Sequence, residues 1–185
     1  MLEFLFHPFP ILETNRLTLR TISLNDAEDL FQLRRNVDVM RFIDRIPHRT
    51  PDDTREMIQK IQEGIKNNDA IAWAVTLKNT PGLVGTFSYH RIEKEHHRAE
   101  IGYMLDPQHW RKGITNEAML SVLDYGFKNM KLHSIEANVN PGNVASSSLL
   151  KKHGFVKEAY FKENYFFNGK FLDTEIYSLL ENSPR

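Results

Sequence analysis

RLTLRTI (Arg16 to Ile22) alternates apolar and polar positions, the pattern of a strand with one buried face. After it, Ala27, Leu30, Phe31 and Leu33 recur at helical spacing, with Asn25 or Asp26 as candidate caps. IPHRTPDD reads as a loop, and Thr50 or Asp52 caps a second helix to about Lys66 with Ile58, Ile61 and Ile65 inward. Three strand candidates follow. AIAWAVTL and LVGTFSYH flank the turn KNTPG as a hairpin, and HRAEIGYML is reached through the charged RIEKEHH. Pro107 then stops the ladder.

Ile114, Ala118, Met119, Val122, Leu123, Gly126 and Phe127 form an amphipathic stripe along a long helix. HSIEANV (His133 to Val139) is a strand, and NPGN turns into a helix from about Ala145 to Lys152 that Gly154 ends. In KENYFFNGKFLDTEIYSLL, Asn168-Gly169 between two aromatic strands predicts a tight hairpin. The succession of elements predicts one mixed α/β layer, with antiparallel hairpins at both ends and a βαβ crossover in the middle. Neither repeat nor linker interrupts it, so residues 1–185 read as a single domain.

Composition narrows the functions open to such a chain. Lys plus Arg and Asp plus Glu are equal at 24 each, so no global charge draws it to nucleic acid or an anionic membrane. Zero cysteines exclude disulfides, thiolate zinc sites and a cysteine nucleophile, and fit a reducing compartment. The apolar start MLEFLFHPFPIL lacks a basic leader and is broken by His7, Pro8 and Pro10, so it reads as neither signal peptide nor membrane span. A cytoplasmic protein is expected. Glu95 to Arg98 (EHHR) tempts a metal reading, but adjacent strand histidines point to opposite faces, and no metal site is expected.

The candidate chemistry lies in HWRKGITNEAML (His109 to Leu120). A helix N-terminus presents unpartnered N–H groups and a positive dipole end, which together hold phosphate. Gly113 permits close backbone approach, and Arg111 and Lys112 add positive charge. A diphosphate-bearing ligand fits this step, although neither a P-loop nor a GxGxxG spacing is present. Met104, Leu105, Asn143 and Ser146 each have a plain alternative as well, the first two as core and the last two as helix-start residues.

Here the sequence resembles the GNAT superfamily of acyl-CoA-dependent N-acetyltransferases. WRKGIT matches that family's pyrophosphate loop at Gly113, with Trp110 in place of the first Gln/Arg and Thr115 in place of the last small residue. The Trp resembles the RimJ/RimL-type branch, which acetylates protein N-terminal amines. ETNRLTLR, AEIGYML, NPGNVASSSLLKKHGF and NGKFLDTEIYSLL resemble further motifs of that branch in the same order. The resemblance implies a GNAT fold, with a mixed, mostly antiparallel sheet of about seven strands flanked by about four helices.

It also implies acetyl-CoA as co-substrate, gripped at Arg111, Lys112, Gly113, Ile114 and Thr115, with its pantetheine arm between two splayed strands against Met104 and Leu105. Asn143 would bond the pantetheine, and Ser146 would meet the sulfur as the thiolate leaves. A Tyr serves this purpose in many relatives, but Leu150 holds its place. Glu100 is the candidate general base, with a solvent-side pairing to Arg98 or Lys94 as the rival reading. Glu117 reads as a dipole or bracing residue, and Tyr165, Phe166, Phe167 and Phe171 as a groove wall or as core. The acceptor implied is a protein N-terminal amine, that of a ribosomal protein included. A small amine such as a polyamine, an amino acid or a drug, and a non-catalytic acyl-CoA sensor, are the alternatives, and a homodimer is open.

Overall fold

The computed structural model describes residues 2–183. An eight-stranded sheet in the order β1-β2-β3-β4-β5-β6-β8-β7 forms its centre. The strands are β1 (Leu12–Glu13), β2 (Leu17–Thr21), β3 (Ile71–Leu77), β4 (Gly85–Glu93), β5 (Arg98–Leu105), β6 (Ser134–Val139), β7 (Val156–Phe167) and β8 (Lys170–Leu180). Helices α1 (Ala27–Arg35), α2 (Val37–Met40), α3 (Pro51–Lys66), α4 (Ile114–Lys128) and α5 (Val144–Lys152) cover it. The sequence pattern misses β1 and α2, each too short to show a period. β7 also starts six residues before the stretch KENYFF that announces it.

The centre of the sheet is buried on both faces, and alternation along β3 shows how. Ile71, Trp73 and Val75 join a core with Ile114, Met119, Val122 and Leu123 of α4 and Leu150 of α5. Ala72 and Ala74 face the other way, toward Leu30 and Leu33 of α1 and Ile58 of α3. Period-two alternation thus distributes one strand between two helical layers. Trp73 is fully buried, and its indole N–H finds the Pro10 carbonyl at 2.8 Å.

Helix starts follow local chemistry. Thr50 caps α3 as expected, its hydroxyl accepting from Asp53 N–H while the Asp53 carboxylate accepts from Thr50 N–H at 2.9 Å. Asp52, the other candidate, points outward to Arg55. Neither Asn25 nor Asp26 caps α1 with its side chain. Asp26 instead reaches back to Ser23 N–H at 2.8 Å and pairs with Arg20 at 2.6 Å. Asn168 and Gly169 both take positive φ, 48° and 80°, as the tight β7–β8 turn requires.

Every strand pair is antiparallel except β5 and β6, joined by the α4 crossover. Their parallel ladder covers only Arg98 to Glu100 against Ser134 to Glu136. Beyond Glu100 the two strands separate, and β5 runs on to Leu105 without a neighbour on that side. Among the described residues, no helix is long and apolar enough to cross a membrane.

Candidate active site

The separation of β5 from β6 opens a cavity of about 790 Å³ reaching both helical layers. Asp106 N–H bonds Val84 O, so by antiparallel alternation the backbone of Met104 and Gly102 faces β4. A Cβ on Gly85 would stand 2.5 Å from the Met104 carbonyl oxygen, which fits that direction. Tyr103 and Leu105 therefore turn their N–H and C=O toward the gap. Trp110 Nε1–H occupies the Leu105 carbonyl at 2.8 Å. Met104 lines the cavity by its side chain, whereas Leu105 is buried.

Past the mouth of the gap comes the turn into α4. Arg111 and Gly113 adopt positive φ of 59° and 75°, and residues 111 to 113 are exposed. Gly113 begins α4 without any side-chain cap, and the first backbone bond runs from Glu117 N–H to Gly113 O. The N–H groups of Ile114, Thr115 and Asn116 thus have no partner within the helix. Ile114 sends its side chain into the core, so only its backbone can meet a ligand. Arg16 leans over the same turn, its Nη1–H donating to Lys112 O at 2.9 Å. Glu117 fixes this arrangement by accepting from Thr14 Oγ1, Arg16 N–H and Arg16 Nε–H. It braces the turn, one of the two roles its position suggests. Exposed positive charge, free helix N–H groups and a left-handed turn fit a diphosphate.

On the α4/α5 side of the gap, Asn143 caps α5 by accepting from Ser146 N–H at 3.1 Å. Ser146 presents its hydroxyl to Tyr103, with 2.7 Å between the two oxygens. Burial pushes the Tyr103 phenol up to about 12, so it stays protonated at neutral pH. Phe87 stacks on the Tyr103 ring at 5.2 Å and fixes it. Tyr103 is not singled out in the sequence, because it reads there as one more apolar strand position.

Glu100 stands on the opposite face of β5, its side chain 13% exposed. Its partners are His90 at 3.3 Å and Arg91 at 2.8 Å, which replaces the expected pairing to Arg98 or Lys94. Arg98 is taken by Glu93 and Glu136. Burial raises the Glu100 carboxyl, but His90, Arg91 and Asn138 outweigh that and hold it below the ordinary carboxylate range. His90 lies directly across from Glu100 in the β4–β5 register. Gly102 leaves room beside His90, since a Cβ there would approach His90 Cε1 to 3.1 Å. The same wall carries Arg34, buried at 7% exposure, which the sequence pattern takes for an ordinary polar helix residue.

Of the β7–β8 aromatics, Tyr177 joins the core, but the four around the Asn168-Gly169 turn do not. Phe166 and Phe171 are exposed and touch at 5.0 Å, while Tyr165 lines the cavity and meets Arg45.

Comparison with known proteins finds relatives in both sequence and fold. A family model described as an acetyltransferase (GNAT) domain matches residues 16–156. The chain is 38% identical to the uncharacterized N-acetyltransferase YoaA of Bacillus subtilis (strain 168), over 94% of its own length and 98% of the relative's. An acetyltransferase (GNAT family) from Bacillus anthracis superposes with a TM-score of 0.83 at 32% identity, covering 94% of this chain and 100% of that one. Spermidine N-acetyltransferase from Vibrio cholerae, solved with CoA and spermine, superposes with a TM-score of 0.81 at 26% identity, covering 92% and 98%.

Proposed function

Because the chain belongs to the GNAT acetyltransferase family, matched over residues 16–156, we propose that it moves an acetyl group from acetyl-CoA to the N-terminal amine of a protein, a ribosomal protein included. The observation that carries this reading is the juxtaposition of three features at one gap. The edge of β5 is unpaired beyond Glu100, the α4 N-terminus is uncapped, and the Tyr103–Ser146 pair lies between the two sites. A pantetheine arm can add to the free edge of β5 as an extra strand would, its diphosphate meeting Arg111, Lys112 and the N–H groups from Gly113 to Thr115.

The remaining residues divide the work of a direct transfer. The amine must be neutral to attack, and an α-amine titrates near ~7.7–8.0, so little driving force is required. Attack forms a C–N bond and breaks the C–S bond; the nitrogen loses one proton and the sulfur gains one. N–H groups on the free edge at Tyr103 or Leu105 stabilise the developing oxyanion. Tyr103 donates to Ser146 Oγ, which frees the serine hydrogen for the departing sulfur. Glu100 and His90 take up the amine proton, directly or through water. Asn143 keeps its amide N–H₂ for the pantetheine while its oxygen caps α5.

The RimJ/RimL-type motifs support a protein acceptor, whereas the likeness to the Vibrio cholerae enzyme favours a polyamine. Thiol release from acetyl-CoA with N-terminal peptides, spermidine and free amino acids as acceptors decides between them. Peptide-dependent release is expected to exceed spermidine-dependent release at least tenfold in kcat/KM. The reverse order would move the assignment to polyamines, release with free amino acids alone would move it to those, and release with none of the three would leave an acyl-CoA sensor.

A further inference from the structure

Arg34 occupies the last turn of α1 and lines the cavity, 7% exposed. Its Nε–H is buried without a hydrogen-bond partner, and no carboxylate among the described residues pairs with its guanidinium. The other arginines near the sheet behave differently. Arg16 has Glu117, Arg20 has Asp26, Arg91 has Glu100, and Arg98 has Glu93 and Glu136. A buried, unpaired cation is expensive, and the neighbouring Arg45 adds repulsion rather than relief. Favourable interaction with the α1 dipole does not explain the burial, because exposed Arg35 supplies that from the same turn.

Two of the three acids lining the cavity are already engaged elsewhere, and none of the three pairs with Arg34. Glu100 is held by His90 and Arg91, and Asp173 by Tyr160 and the Glu163 N–H. Among the described residues Asp44 makes no ion pair; burial raises its carboxyl, and Arg45 is the charge that partly offsets this. What the cavity lacks at Arg34 is an anion. A guanidinium presents a planar fork that matches a carboxylate with two parallel hydrogen bonds. A polyamine would bring only cations toward Arg34 and Arg45.

We infer that Arg34 anchors a carboxylate on the acetyl acceptor, so that the substrate is an amine that also bears an acid group. This deepens the proposed amine acetylation and rests on it. The carboxylate comes either from an acidic side chain beside the N-terminal residue of a peptide or from the α-carboxylate of a free amino acid.

The test compares matched acceptors with the purified full chain. Amidated peptides Ala-Asp and Ala-Asn isolate the side-chain acid; free alanine and alanine amide isolate the α-carboxylate. For the correct source, the acidic partner should show a KM about 10- to 100-fold lower at similar kcat. Arg34→Met should reduce that preference to within about twofold and leave acetyl-CoA affinity unchanged. Arg34→Lys should restore part of it. Because the substitution removes an unpaired buried charge, Arg34→Met should keep or raise the melting temperature; a fall of several degrees would make Arg34 structural and overturn the inference. Equal KM values within both acceptor pairs would overturn it too, while leaving amine acetylation intact. Calorimetry of the N-acetylated Ala-Asp and Ala-Asn peptides, and of N-acetylalanine and its amide, on the CoA-loaded protein reads the same preference without turnover. If no amine releases thiol, the acetylation reading fails, and equal affinities there, both for the two peptides and for N-acetylalanine against its amide, would remove Arg34 as an anion site independently.

Discussion

Tyr103 Oη and Ser146 Oγ lie 2.7 Å apart where β5 has lost its neighbour, joining the opened strand to the first turn of α5. Since burial pushes the phenol up to about 12, Tyr103 holds its proton at neutral pH and can orient the serine hydrogen. The two side chains should therefore act as one unit. Ser146→Ala is expected to lower kcat about 10- to 100-fold, and Tyr103→Phe about tenfold, with acetyl-CoA affinity within a few-fold of the parent. The double variant should lose little more than Ser146→Ala alone. Steady-state thiol release on all three variants measures this. Multiplicative losses would show the pair working separately.

Gly113 makes a second prediction, because its φ of 75° and its exposure put conformation ahead of packing. Asn tolerates the left-handed region better than a β-branched residue does. Gly113→Asn should keep the turn but add a side chain where the diphosphate approaches. Its melting temperature is expected within about 2 °C of the parent, against a loss of about 1–2 kcal/mol for Gly113→Val. Acetyl-CoA binding should weaken at least tenfold in both. Calorimetric affinity set beside thermal melts distinguishes a ligand-gripping glycine from one that merely permits the turn.

Periodicity made most of this architecture legible, and the failures have physical reasons. The stripe from Ile114 to Phe127 and the Asn168-Gly169 turn are local signals, and both elements formed where expected. β1 and α2 span too few residues to display a period. Gly113 was visible as a glycine set between two cations and a helix start. Glu100 was visible as a carboxylate, but its partners were not: the β4–β5 register, with its irregularity after His90, brings His90 and Arg91 to it. Tyr103 and Arg34 were hidden for a related reason. One sits in an apolar strand and the other in a charged helix, and only the opening beyond Glu100 gives either something to face.

Glu100 yields a pH prediction. Although burial alone would raise its carboxyl, His90, Arg91 and Asn138 hold it low, so it is ionised throughout the neutral range. Its own titration cannot shape the rate profile between about pH 6 and 9. Glu100→Gln should therefore depress kcat/KM about tenfold across that range without changing the profile's form. An acidic limb that moved in the variant would assign Glu100 a proton near neutrality and contradict the ion-pair geometry.

The last prediction concerns the fold rather than the site. Asp26 is 3% exposed. Burial pushes its carboxyl up, but the Arg20 guanidinium and the Ser23 N–H outweigh this and bring it below the usual value. A carboxyl depressed in the folded state stabilises above its unfolded pKa of ~3.9, and that contribution is lost as pH falls through the folded value. Asp26→Asn removes one partner of a largely buried pair and leaves Arg20, one-third exposed, without its counter-charge. A loss of about 2–3 kcal/mol at pH 7 is expected, a lowering of the melting temperature by roughly 5–10 °C. Urea unfolding from pH 2.5 to 7 should show the parent losing stability on acidification while the variant starts lower and declines less steeply below about pH 4. Parallel curves would mean that Asp26 is no more tightly held in the folded chain than in the unfolded one.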